Sequence, residues 1–387
     1  MIYLDNAATS WPKPEIVYET LANFLRTAGA NPGRGNHIMA TRAAATIDET
    51  RLRLARLLGV ADPRRVIFAS NATDALNMAI KGVLKPGDHA VTTAMEHNSV
   101  RRPLHALEAT GVSVTRVAAD SEGFVAVEDI ERALRPETRL IAMTHASNVN
   151  GAIQPVAEVA RIAHDRGVLL LVDGAQTVGA MPVKMGDIGA DLLAFPGHKG
   201  LLGPTGTGGL ILGERIGPND LATTREGGTG GNSEEDVQPE ELPGRYEAGT
   251  VNTVGIAALG AALEVLSETG LDAVQAHERE ITTQLIDGLS TIPGIRVLSP
   301  EDSRRRAAVV SIIVDGWEPS DFGAALDSSF EIACRTGLHC APDACAALGA
   351  FPHGTIRLSP GFFTTKDEID QAIGAVAELA QAALRFS

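Results

Sequence analysis

Leu169-Leu170-Leu171-Val172-Asp173 is an unbroken apolar run closed by an acid, and it passes straight into Gly174-Ala175-Gln176. Further along, Ala194-Phe195-Pro196-Gly197-His198-Lys199 is another apolar run, closed by a lysine. Runs this short and this apolar read as strands buried on both faces, the kind found in parallel sheets. Outward from these two, the same pattern places strands at Val66–Ser70, His89–Thr93, Ser113–Val117, Leu140–Thr144, Val168–Asp173, Leu192–Phe195 and Gly209–Leu212. Between them, helical periodicity falls at Thr73–Lys81, Ser99–Thr110, Val125–Leu134 and Pro155–Arg166. The connections are long enough for crossover helices, so the expected fold class is α/β, a mostly parallel seven-stranded sheet covered by helices on both faces. Ser70-Asn71, Glu96-His97, Ser147-Asn148, Asp173 and His198-Lys199 follow strand ends, where ligands of open α/β sheets gather.

The chain of 387 residues exceeds the size of one hydrophobic core, which points to two domains. Its composition, 44% hydrophobic and 21% charged, is that of a globular protein, and no segment has the length and purity of a membrane span. Met1-Ile2-Tyr3-Leu4-Asp5 lacks the basic start and apolar run of a signal peptide, so a cytoplasmic location is expected. A formal charge of −15 opposes general attraction to nucleic acid or anionic lipid, so any anionic ligand has to be held locally. Cys334, Cys340 and Cys345 form no disulfide framework, and no Cys-x-x-Cys or His-x-x-Cys pair suggests a metal site. Past Arg225 an exposed loop is expected, glycine-rich over Glu226–Ser233 and acidic on to Glu241, then helices at Val254–Thr269 and Leu271–Thr291 and a smaller α/β unit with strands near Ala307–Val314 and Thr355–Leu358.

A strand-end carboxylate and a strand-end lysine together suggest a pyridoxal phosphate site, in which the lysine forms a Schiff base and the acid keeps the pyridinium nitrogen protonated. Lys199 after an apolar strand and His198 suits a lysine whose pKa is lowered, whereas alone it reads as an ordinary surface lysine. Asn71-Ala72-Thr73 opens a helix whose free backbone N–H groups suit a phosphate, and equally suits a plain N-cap. Gly203-Pro204-Thr205-Gly206-Thr207-Gly208-Gly209 lacks the terminal Gly-Lys-Ser/Thr of a nucleotide loop and precedes a strand. His97 reads either as a residue stacked on a flat ring or as a loop hydrogen-bonder. In Arg335-Thr336-Gly337-Leu338-His339-Cys340-Ala341 a cysteine stands near a histidine and an arginine, both of which favour the thiolate. Arg357 suits a bidentate pairing with a substrate carboxylate or a surface ion pair.

Taken together, Tyr3-Leu4-Asp5-Asn6-Ala7-Ala8-Thr9, Val172-Asp173-Gly174-Ala175-Gln176, Gly197-His198-Lys199, the Cys340 segment and the Arg357 strand resemble the cysteine desulfurases and selenocysteine lyases of the class V aminotransferase group, fold-type I pyridoxal phosphate enzymes. The resemblance covers nearly the whole chain and implies a large cofactor domain over 15–255 and a small domain over 256–387, with 1–14, that carries the cysteine loop. It implies that Asp173 meets the pyridine nitrogen, Gln176 the phenolic oxygen and Lys199 the aldehyde carbon, that His97 stacks on the ring, and that Ala72, Thr73 and His198 serve the phosphate. Asn148, Arg335 and Arg357 fall at the substrate, and Thr250 reaches the phosphate from the partner subunit of a homodimer. The short cysteine loop looks like that of group II enzymes and makes Cys340 the sulfur acceptor.

Two positions depart from the family pattern. Pro196 replaces a serine that contacts the phosphate in many relatives, and Leu338 stands where group II enzymes often have a second histidine. The implied reaction converts L-cysteine to L-alanine: Lys199 removes the Cα proton, and Cys340 takes the sulfur as a persulfide for an acceptor protein. The competing readings are a selenocysteine lyase acting on L-selenocysteine, another class V reaction such as transamination or epimerisation, and a non-catalytic pyridoxal phosphate-binding assembly partner. Cys345 reads as a structural thiol.

Overall fold

The computed structural model describes residues 1–32, 35, 37–229, 234 and 236–384; of the expected loop at 226–241, residues 230–233 and 235 lie outside the described residues. The strands in chain order are β1 (Ile2–Tyr3), β2 (Val66–Ala69), β3 (His89–Thr93), β4 (Ser113–Val117), β5 (Thr138–Thr144), β6 (Leu169–Asp173), β7 (Leu192–Pro196), β8 (Gly208–Leu212), β9 (Ile295–Val297), β10 (Val310–Val314), β11 (Ile332–Ala333), β12 (Arg335–Gly337) and β13 (Thr355–Leu358). A seven-stranded sheet runs β2-β8-β7-β6-β5-β3-β4. Five of its strands, β3 to β7, are mutually parallel, while β8 is antiparallel to both β2 and β7. The expectation of a crossover helix at every connection fails at 197–207, which carries no helix and turns the chain back on itself.

Side-chain alternation divides this sheet's residues between two cores. Ile67, Leu171, Leu192 and Ala194 face one core with Leu76 and Ile80 of helix Ala72–Val83 and Leu104 of helix Asn98–Glu108. Phe68, Val172, Leu193 and Phe195 face the other, which includes Val159 from helix Val156–Asp165 and Leu259 from helix Thr253–Thr269. Burial on both faces is the reason the runs at 169–173 and 192–196 are continuously apolar.

Helix Thr253–Thr269 packs on helices Glu15–Thr27 and Ile38–Leu58, and Gly270, at φ +82°, breaks it from helix Leu271–Ser290. These two bend by 81° at the break, and among the described residues no single helix is long and apolar enough to cross a membrane. The second sheet, β12-β13-β10-β9, is antiparallel. Its core joins Val310, Ile312, Ile356 and Leu358 to Ile281, Leu285, Ile369 and Val376 of helices Leu271–Ser290 and Lys366–Leu384. The N-terminus belongs here: β1 pairs with β11, Leu4 is fully buried in this core, and Asp5 bridges to Ser359. The first residues of the chain are thereby fixed beside the carboxyl ends of the large sheet.

Candidate active site

Register sets the centre of the site. Asp173, last in β6, sits between Thr144 of β5 and Ala194 of β7, and its Oδ1 accepts a 3.0 Å hydrogen bond from the Ala175 amide. It is 3% exposed, and burial raises its pKa against the opposing pull of that amide and of Lys199. Lys199 follows β7 in a loop that doubles back, with Leu202 N–H bonded to Lys199 O and Gly203 N–H to Gly197 O. Gly197 is required there, because a Cβ would come within 2.1 Å of Thr207 Oγ1. Burial pushes the Lys199 amine down to about 8, with Asp173 resisting the shift and Arg357 and Arg335 adding to it.

The Lys199 main chain is held from the N-terminal segment. Ser10 Oγ donates to Lys199 O at 2.9 Å, and Lys13 Nζ donates to Ser10 Oγ at 2.6 Å and to His198 O at 2.8 Å. Burial lowers Lys13 itself to about 8. His198 is pushed down to about 4 by burial and then by Lys199 and Lys13, and its Nδ1 is buried without a hydrogen-bond partner.

His97 caps helix Asn98–Glu108: its Nδ1 accepts from the Ser99 amide at 3.1 Å and lies 2.8 Å from Ser99 Oγ. Burial, followed by the fields of Lys199, Arg335, Arg102 and Arg357, holds His97 down at about 4. A neutral ring with Nδ1 accepting carries its proton on Nε2. Ser99 Oγ is also 2.7 Å from Thr73 Oγ1, so His97, Ser99 and Thr73 form one chain. Thr73 lies in the first turn of helix Ala72–Val83, behind the half-buried Ala72 and an Asn71 N-cap that accepts from Asp74 N–H at 2.9 Å. Beneath His97, Glu96 Oε1 accepts from Thr93 Oγ1 at 2.6 Å and from the Thr144 amide at 3.1 Å, while burial raises its carboxyl to about 8.

From the second sheet, Arg357 reaches the same place with 1% exposure. Its Nη2 is 2.7 Å from Asp5 Oδ1, its Nη1 donates to Asn148 O at 3.0 Å, and its buried Nε has no partner. Asn148 Nδ2 donates to His339 O at 2.7 Å, and Asn98 N–H donates to Cys340 O at 2.7 Å. These two bonds clamp a turn in which His339 and Cys340 both adopt left-handed backbone, φ +50° and +59°, a conformation that costs a residue with a Cβ about 1 kcal/mol or more. Cys340 is exposed, and Arg335 Nη2 stands 3.4 Å from its Sγ. The expected aid from His339 is absent: burial holds that ring near 3, and its Nε2 is 2.7 Å from Thr355 Oγ1. Cys345 is fully buried and pushed up to about 11, and burial raises Cys334 to about 12.

Gln176 Nε2 donates to Ala7 O at 3.2 Å, and Gln176 and Lys199 line one cavity of about 40 Å³ with Asn6, Ser10 and Glu278. Within a single chain Thr250 is not among these groups; it is exposed, and its Oγ1 accepts from Asn31 at 3.2 Å. Ser99, Ser10, Lys13 and Asp5 escape a reading of the sequence. The one available signal was Asp5 inside the N-terminal Leu4-Asp5-Asn6 segment, which carries no chemistry until the fold brings it to Arg357.

A family model described as aminotransferase class-V matches residues 2–372. A probable cysteine desulfurase of Methanothermobacter thermautotrophicus is 36% identical over 380 residues, 97% of this chain and 94% of that protein. A probable cysteine desulfurase of Halalkalibacterium halodurans is 34% identical over 96% of this chain and 91% of its own length. Among solved structures, the apo cysteine desulfurase of Thermococcus onnurineus superposes with a TM-score of 0.90 at 33% identity, covering 98% of this chain and 95% of that one. The cysteine desulfurase CsdA of Escherichia coli, in an S-sulfonic acid form, gives a TM-score of 0.87 at 29% identity over 99% and 94% of the two chains.

Proposed function

This chain belongs to the class-V aminotransferases and, among them, to the cysteine desulfurases, and from that premise we propose how its residues carry the pyridoxal phosphate-dependent conversion of L-cysteine to L-alanine. The residues present fit the cofactor: a buried lysine beside a buried carboxylate, an unpartnered His198 Nδ1, and a helix N-terminus with Thr73 in its first turn. Lys199 would hold the aldehyde carbon, Asp173 the ring nitrogen, Gln176 the phenolic oxygen and His97 the ring face, with Ala72, Thr73 and His198 at the phosphate. When bound, the cofactor supplies an electron sink for the carbanion at the substrate Cα.

Arg357 takes the substrate carboxylate through its unshared Nε–H, next to Asn148 and with Arg335 adding positive field. Lys199, lowered to about 8 by burial, receives the Cα proton at Nζ. His97 keeps a proton on Nε2 because Ser99 occupies Nδ1. The observation that carries the assignment of the sulfur acceptor is the contrast among three cysteines: two are raised to about 11 and 12 by burial, and Cys340 alone is exposed with a guanidinium on its sulfur. Its Sγ bonds to the substrate sulfur; the C–S bond breaks, its electron pair goes to Cβ, Cβ takes a proton, and the proton held at Lys199 Nζ returns to Cα to give alanine.

A homodimer is supported by the exposed apolar side chains Leu25, Ile38 and Met39, and Thr250 serves the phosphate of the partner's site. Persulfide sulfur passes to an acceptor protein, and three free cysteines suit the reducing cytoplasm. Mass spectrometry after treatment with L-cysteine tests the central role: one added sulfur is expected on Cys340, and Cys340→Ala is expected to lose persulfide and alanine formation together. Wild-type rates in that variant would refute it.

A further inference from the structure

The opening of the site at Cys340 is basic, in a chain whose formal charge is −15. Arg335 stands on the Cys340 sulfur, and the Cys340 carbonyl is bonded to the first residue of helix Asn98–Glu108. One turn along that helix come Arg101 and the exposed Arg102, and Arg102 is close enough to act on the His97 ring. Arg116, on the edge strand β4, completes the set. The acids beside them are Asp343, which accepts from Arg101 Nε at 3.0 Å and lies 3.3 Å from Arg116 Nε, and Glu96, which lies in the field of Arg116 but is buried with its carboxyl raised to about 8. Four arginines against Asp343 and a Glu96 displaced toward its neutral form leave a local excess of positive charge around an exposed thiol. Arg102 has no ion-pair partner among the described residues. Neither proton removal at the substrate Cα nor the hold on the cofactor uses Arg101 or Arg116, and Arg102 enters only through its field on His97.

We propose that these arginines form a docking rim for an acceptor protein whose thiol is carried on an acidic surface. The inference rests on Cys340 being the persulfide site. The transfer it serves is balanced without an outside oxidant: the acceptor thiolate attacks the outer sulfur of the Cys340 persulfide, that S–S bond breaks, and its electron pair returns to Cys340 Sγ. The acceptor departs as the persulfide. A protein is favoured over a small thiol because the charges lie on three separate elements, a helix, an edge strand and β12, and so span a surface. Opposite charges on such surfaces raise association rates and lose their effect in salt, where the screening length falls below about 10 Å.

The holoenzyme is loaded with L-cysteine, and the sulfur on Cys340 is verified by mass spectrometry. Single-turnover transfer is then followed to three synthetic peptides, each with one cysteine flanked by aspartates, serines or lysines, and rates are expressed per thiolate. The aspartate peptide is expected to outpace the serine peptide by about fivefold or more at low salt, with the lysine peptide slowest, and the gap is expected to close within a factor of about two at about 0.5 M salt. Arg102→Glu is expected to erase the preference, read as the ratio of peptide rates on protein already loaded with persulfide, so that any change in persulfide formation through His97 cancels. Equal rates for the three peptides, or a preference untouched by Arg102→Glu, overturn the rim. A preference for 2-mercaptoethanesulfonate over 2-mercaptoethanol as large as that between the peptides overturns the protein partner in favour of a small anionic thiol. Absence of persulfide on Cys340 at the loading step overturns the rim and the underlying reading together.

Discussion

Replacing Lys199 by methionine is expected to make the cofactor-free protein more stable. The side chains are similar in length, so the exchange mainly deletes a buried ammonium. Burial lowers the amine from 10.5 to about 8. At 1.36 kcal/mol per unit this is a cost to the folded state of about 3 kcal/mol near neutral pH. The sign follows from proton counts: between pH 8 and 10.5 the unfolded chain binds the proton more tightly than the native one, so stability rises with pH through that window. Below it both states are protonated and the full cost applies. Urea denaturation of apo wild type and apo Lys199→Met should therefore differ by about 2–3 kcal/mol at about pH 7, the lower figure allowing for an Asp173 left without its cation. The difference should fall to about 1.5 kcal/mol by about pH 9.5. A gap that does not change with pH, or a less stable variant at neutral pH, would mean that the lysine is not held as a strained cation, and the argument for its readiness as a base would go with it.

The neighbouring acid should show the opposite dependence. Glu96 is raised from 4.5 to about 8, so its contribution is complete below about pH 4.5 and is lost as pH rises through about 8; in Glu96→Gln the apoprotein's stability should decline less over that range, as read by denaturant midpoints. Gly354→Ala should destabilise by more than about 3 kcal/mol, since φ is +86° and a Cβ would meet the Gly337 carbonyl carbon at 2.1 Å; a thermal melt within a degree or two of wild type would contradict the packing described for the cysteine strand.

The central strands of the main sheet are legible in the sequence because burial on both faces writes β6, β7 and β8 as nearly continuous apolar runs, whereas the edge strand β4, Ser113–Val117, is mostly exposed or half-buried and reads as a strand through its β-branched residues. Direction is not written in a run: nothing in Gly208–Leu212 distinguishes a parallel strand from the antiparallel one it is, and only the absence of helix at 197–207 decides it. Helix Ile38–Leu58 is hidden for another reason. Its buried stripe includes Thr50 and Arg51 among alanines, and Arg51 is paired there with Glu247 at 2.8 Å, so its inward face does not look apolar. The site follows the same division. Lys199 and Asp173 are visible because each comes at or just past the end of a recognisable strand, whereas Asp5 and Arg357 are 352 residues apart and meet because the N-terminal segment pairs with β11 and bridges to Ser359. Ser99 is a common residue near a helix start, and its bonds to both His97 and Thr73 depend on how two helices meet.

The site places its two halves of chemistry in different solvents. Just past the ends of β3 and β7, burial drives an amine down to about 8, a carboxyl up to about 8 and two imidazoles down to about 4, so each of these groups is displaced toward its neutral form. Proton transfer at carbon benefits from that, because groups whose charged forms are destabilised together exchange protons at little cost. A thiolate nucleophile has the contrary requirement: the same burial that prepares Lys199 raises Cys334 to about 12 and Cys345 to about 11 and would silence them. Cys340 escapes by standing on a turn of two left-handed residues, which lifts the sulfur into water beside Arg335. The turn is not free to relax, because Asn148 and Asn98 each hold one of its carbonyls. Asn148 also gives its own carbonyl to Arg357, so the strained turn that exposes the thiol and the guanidinium assigned to the substrate carboxylate are fixed by one residue. On the roles proposed for Lys199 and Cys340, strain in the cysteine turn is thus the cost of joining a dry base to a wet nucleophile.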